Sequence, residues 1–132
     1  MFTIEFLPNE RTVICKLAGS INSDELLDPI FSLVNDVRYK KNYHCIWDIR
    51  DVPDSSHFQA ESKEYAKIIA SFRKDRKGKL VIIAHDANNS PAIAKFYDEM
   101  AQEGIQLDLY KNFEQAFTWL KRLNGFSFSL IL

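Results

Sequence analysis

Neither sign of charge prevails in this chain: 17 Lys and Arg stand against 18 Asp and Glu. Without a global excess, nothing draws the whole molecule toward nucleic acid or an acidic membrane. Long apolar runs are missing too, since none approaches the roughly 20 residues that a membrane-spanning helix needs. The opening MFTIEFLPNERTV lacks the basic segment and apolar core of a secretory signal. A cytoplasmic protein that is not a membrane protein is the expectation. Cysteine is scarce. Cys15 and Cys45 both fall in strand-like runs, where buried thiols act as small hydrophobes rather than redox centres. With His44, His57 and His85 they show none of the short paired spacings of a zinc site, so neither a metal nor a cofactor is expected. A glycine-rich phosphate loop, a Gly-x-Ser-x-Gly elbow and a long internal repeat are all absent.

What is present points to a folded domain. The chain has 132 residues, 46% of them hydrophobic and 13% aromatic, enough to bury roughly two-thirds of the surface of an extended chain. Residues 2–7 and 12–18 are rich in β-formers and flank the turn Pro8-Asn9-Glu10-Arg11, which predicts an antiparallel hairpin. Leu26, Ile30, Leu33, Val34 and Val37 recur at helical spacing, with Asp28-Pro29 expected to open the main helix as cap and first position. A second helix is expected over 57–74, with Phe58, Ser62, Tyr65, Ile69 and Phe72 inward. LVIIAH, 80–85, is a continuous apolar run and reads as a parallel strand covered on both faces. Ser90-Pro91 caps a third helix with Ile93, Phe96, Tyr97 and Met100 on one face, and Gly104 ends it. A strand over 105–110 and a helix capped by Asn112 with Gln115 follow. The fold class is α/β, in the order β-β-α-β-α-β-α-β-α, with a mostly parallel sheet, an antiparallel edge strand and flanking helices.

The stretch Tyr43–Ser56, YHCIWDIRDVPDSS, is the expected centre of function. It reads as a buried strand that runs into an acidic loop and a helix start, where open α/β sheets form a ligand crevice. Asp48, Asp51 and Asp54 fall within seven positions. They suit either a hard cation or a general base, or simply a solvated loop bonded to backbone N–H groups. Ser55 and Ser56 are ordinary helix caps by type, and also places where a phosphate would meet free N–H groups and the helix dipole. His85, Asp86 and Ser90 hold the residue types of a hydrolytic triad; with Asn88 and Asn89 they form a loop expected beside the acidic one. Two basic stretches, Arg38–Lys41 and Arg73–Lys79, read as solvated loops. Trp47, Trp119, Phe113 and Phe117 read as core.

The element order over residues 2 to about 123, and the run Ile46-Trp47-Asp48-Ile49 followed by Asp54-Ser55-Ser56-His57, resemble the STAS domain of bacterial anti-sigma factor antagonists. In that family the matching segment is Asp-Ser-Ser-Gly or a close variant, and a partner kinase phosphorylates the serine at the helix start. Here His57 stands in place of the glycine and the loop is a little shorter. Ile93-Ala94-Lys95-Phe96-Tyr97 and the ending Tyr110-Lys111-Asn112-Phe113-Glu114-Gln115-Ala116 before Trp119-Leu120 look like the SpoIIAA-like, or STAS-like, family of bacterial proteins. The resemblance implies a non-catalytic interaction or ligand-binding module with a protein partner. Ser55, Ser56, Asp54, Asp51, Asp48 and His57 would be its contact or phosphorylation residues. The same family has been compared with lipid-carrying CRAL-TRIO folds. That comparison implies an alternative, a carrier of a small apolar ligand with a pocket lined by Phe58, Tyr65, Phe96 and Tyr97. A small hydrolase using His85 is the second alternative. The domain is expected over residues 1–124. The apolar tail 125–132 is expected to add a strand or to join two copies in a homodimer.

Overall fold

The computed structural model describes residues 1–19, 23–52, 56–86 and 90–124, with the side chains of 23–26, 56–61 and 123–124 excepted. The hairpin forms as its β-rich halves predict. Strands β1 (Phe2–Leu7) and β2 (Thr12–Ala18) pair antiparallel from Phe2↔Leu17 to Leu7↔Thr12. The turn tightens into a 3₁₀ turn, Pro8–Glu10, closed by Arg11 in the left-handed region at φ 51°. There follow α1 (Ser23–Val34), β3 (His44–Asp51), α2 (Ser56–Arg73), β4 (Leu80–Ile83), α3 (Pro91–Gln102), β5 (Leu107–Tyr110) and α4 (Phe113–Asn124).

Three elements differ from expectation. Helix α1 does not begin at Pro29 but encloses it. A proline there deletes the N–H that would have bonded the carbonyl of Glu25 and crowds that turn. Pro29 is fully buried next to Ile30 and Leu33, and this burial holds the turn helical. Strands β4 and β5 are shorter than the apolar runs 80–85 and 105–110. The last bond beyond β4 runs from the Ala84 N–H to the Tyr110 carbonyl, so His85 lies in a turn outside the strand.

The strands lie in the consecutive order β1-β2-β3-β4-β5, parallel from β2 onward. Right-handed crossovers between consecutive parallel strands must place their helices on one face. That is the arrangement found. Leu33 of α1, Tyr65 and Ala66 of α2, and Ile93, Phe96 and Met100 of α3 bury one face with Val13, Cys45, Leu80 and Ile82. Among the described residues, helix α4 alone covers the other face, with Ala116 and Leu120 against Ile14, Ile46, Val81 and Ile83. Phe113, Phe117 and Trp119 pack beside this second core, and Trp47 beside the first, as their spacing predicts. On α3 the inward face is Ala92, Ile93, Phe96 and Met100. Tyr97 is not part of it and is 41% exposed. A ligand crevice in an open sheet sits where the strand order reverses. This order never reverses, so the expected crevice has no topological switch point to form it.

Candidate functional site

Alternation along β3 sends Ile46 and Asp48 to the α4 face and Cys45 and Trp47 to the other. Asp48 is therefore buried, at 1% exposure, and not part of a solvated acidic loop. Burial alone would raise its carboxyl pKa. The Arg50 hydrogen bonds and charge, with the charge of Lys16, together outweigh burial and hold it below the usual carboxylate range. Arg50 meets it as a two-pronged clamp, Nε to Oδ1 at 2.9 Å and Nη2 to Oδ2 at 3.0 Å. The Arg50 backbone N–H adds a third bond to Oδ1 at 3.1 Å. The guanidinium also lies over the Phe113 ring, 4.9 Å from its centre, which ties β3 to the first turn of α4.

Asp51 is brought to the same neighbourhood by a bulge. Lys16 pairs with Asp48 and Ala18 with Asp51, so β3 uses three residues where β2 uses two. The Lys16 ammonium then reaches Asp51 at 3.2 Å, both side chains about half exposed. Two acids and two bases thus neutralise one another at the carboxyl edge of the sheet.

On the neighbouring loop, His85 and Asp86 are exposed. The Ser90 N–H donates to the Asp86 carbonyl at 3.0 Å, and the Ser90 hydroxyl accepts from the Ile93 N–H at 3.3 Å. Ser90 is 7% exposed and serves as the cap that its position before Pro91 predicts. At the start of α4, Asn112 accepts from the Gln115 N–H at 2.9 Å, and Gln115 reaches back to the Lys111 N–H at 3.1 Å. Asp54, Ser55, Asn88 and Asn89 lie outside the described residues, as do the side chains of Ser56, His57 and Phe58 and the whole tail 125–132.

Tyr65 and Phe96, expected to line an apolar pocket, are 3% and 1% exposed and belong to the core between sheet and helices. The apolar crease between α1, α2 and the sheet, lined by Ile30, Leu33, Trp47 and Phe72 among others, amounts to about 30 Å³. Cys15 and Cys45 come one diagonal step apart, because Val13 pairs with Cys45 and Cys15 with Trp47. Both are free thiols. Burial pushes the Cys15 thiol far up, with the neighbouring Cys45 adding to it, and burial raises Cys45 to about 11.

Arg50 is the residue that the motif reading passed over. Its signal was present: Asp48 and Arg50 stand two apart on a strand, the spacing that puts side chains on one face. Among the described residues, no group of three or more His, Cys, Asp or Glu converges as a metal site would require, and no helix is long and apolar enough to cross a membrane. No protein-family model matches the chain, and no curated protein matches it.

Proposed function

We propose that this chain is a non-catalytic regulatory module of the STAS-like kind, which binds a protein partner through the carboxyl edge of its sheet. The observation that carries the reading is the Asp48–Arg50 clamp. A carboxylate held ionised by a two-pronged guanidinium is a poor proton shuttle and a good rigid support. It braces the end of β3 against α4, at the same edge of the sheet as the exposed His85 and Asp86 and the half-exposed Lys16–Asp51 pair. The element order, with one antiparallel edge strand, is compatible with the STAS arrangement. Among the described residues, the crease between helices and sheet has room for about one water molecule, and Tyr65 and Phe96 are packed core, which supports a partner-binding module over a carrier.

The test begins with native mass spectrometry of gently purified protein, repeated after denaturation. A bare polypeptide mass is expected, and a mass excess lost on denaturation would move the carrier reading ahead. Affinity capture then compares the wild type with an Asp51→Lys/His85→Glu variant and with Ser55→Asp and Ser55→Ala. A protein retained by the wild type and lost from the edge variant supports the proposal. Equal retention by every variant would remove the carboxyl edge as the binding surface.

A further inference from the structure

The two basic stretches, separate in the sequence, meet at the opposite edge of the sheet. The Lys77 N–H donates to the Lys41 carbonyl at 2.8 Å. The Arg76 guanidinium reaches the carbonyl oxygens of Tyr39 and Lys40 at 3.0 and 3.4 Å and stacks 3.7 Å from the centre of the Tyr39 ring. Arg73 donates to the Tyr39 hydroxyl at 3.1 Å and to the Gly78 carbonyl. These partners are all neutral. They fix where the guanidinium groups sit and leave their charge uncompensated. Arg73 and Arg76 are therefore not freely solvated, contrary to the expectation for these loops.

Beside this junction runs a groove of about 700 Å³, bounded by the end of α2, residues 76–79 and the turn 103–106. Among the described residues, six cations line it, Lys67, Arg73, Lys74, Arg76, Lys77 and Lys79, against one carboxylate, that of Glu103. The ion pairs among the described residues lie elsewhere, at Lys16–Asp51, Arg38–Asp36, Arg50–Asp48 and Lys95–Glu99. Lys79 has one further acid in its field, Asp108 of β5. The negative end of the α2 dipole accounts for one or two cations near its last turn, not for six.

We propose that this groove binds a compact ligand carrying two or more phosphate groups. Lysine ammonium groups around fixed arginines suit clustered phosphate oxygens. The volume falls within the roughly 300–1,000 Å³ of small-molecule sites. Among the described residues, no aromatic ring lines the groove, so they offer no stacking platform of the kind that holds single-stranded nucleic acid. The site lies at the amino edge of the parallel strands and is independent of the partner surface proposed above.

Calorimetric titration of the full chain with tripolyphosphate, at low and at physiological salt, tests the assignment. Lys67, Lys74 and Lys77 are exposed, so a Lys67→Ala/Lys74→Ala/Lys77→Ala variant should keep its melting temperature. The wild type should bind, more weakly as salt rises, and the triple variant should lose at least about tenfold in affinity. Lys74→Glu alone should also weaken binding. A vesicle arm compares phosphatidylcholine with and without a bisphosphorylated inositol lipid. Pelleting with that lipid, without heat from tripolyphosphate, would assign the phosphates to a membrane headgroup. Failure of both probes, equal binding by the triple variant, or equally tight binding of polyglutamate or a single-stranded oligonucleotide would overturn the proposal.

Discussion

Replacing Arg50 by alanine should destabilise this protein in a pH-dependent way. The change removes two charge-assisted bonds, at 2.9 and 3.0 Å, from a carboxylate that is 1% exposed. Removing one partner of a wholly buried pair costs about 3–5 kcal/mol. Here the Arg50 side chain is 25% exposed, and Asp48 keeps a backbone N–H and the field of Lys16, so the cost falls to about 2–4 kcal/mol at pH 7. Loss of the ring contact with Phe113, worth about 0.5–1 kcal/mol, is part of that figure. For 132 residues the unfolding entropy is about 0.28 kcal/mol/K, so a loss of about 3 kcal/mol lowers Tm by about 11 K. In the wild type the Asp48 pKa is lowered, so its contribution is full above the unfolded value near ~3.9 and is lost as pH falls through the folded value. In Arg50→Ala, burial acts with no guanidinium against it, and the carboxyl takes up a proton at higher pH. The stability gap between the two proteins should therefore narrow between pH 7 and about pH 4. Urea denaturation of both proteins across that range is the assay, with Asp48→Asn/Arg50→Met expected to lie nearer the wild type at pH 7. A gap below about 1 kcal/mol, or one that does not change with pH, would refute the reasoning.

Gly78→Ala should cost at least about 2 kcal/mol in the same denaturation assay, since its added Cβ would lie 1.7 Å from the Tyr43 carbonyl oxygen and neither atom can rotate away. A cost under about 1 kcal/mol would show that the junction of the two basic loops yields easily. The thiols of Cys15 and Cys45 should resist a thiol-specific chromogenic reagent at pH 8 until urea unfolds the chain, because burial raises both and leaves almost no thiolate. Rapid labelling of the folded protein would contradict that burial.

Local chemistry explains which parts of the fold were legible. The hairpin, the Ser90-Pro91 and Asn112–Gln115 caps, and the parallel course of β4 each depend on a few adjacent residues or on one period of alternation. The start of α1 was misread because a proline was expected to open a helix, whereas in the folded chain it sits inside one, fully buried. Tyr97 was misplaced for a related reason. It lies next to Ile93 and Met100 on the helical wheel, but about 100° round from Phe96, and the stripe that α3 buries extends on the opposite side, to Ala92.

The candidate site divides along the same line. That Asp48 and Arg50 share a face is implicit in a two-residue spacing; that the shared face is buried under α4 is not. The bulge that turns Asp51 toward Lys16 is a matter of register between two strands, and no single segment specifies it. The sequence by itself determined the α/β class, the order of its elements and most of their boundaries, because those follow from periodicity and capping within short windows. Only the tertiary structure decided that consecutive strand order puts three helices on one face, and that Arg38–Lys41 and Arg73–Lys79 meet around Tyr39. Those outcomes depend on contacts some 35 residues apart, between groups that satisfy one another in space and carry no mark of it in the chain.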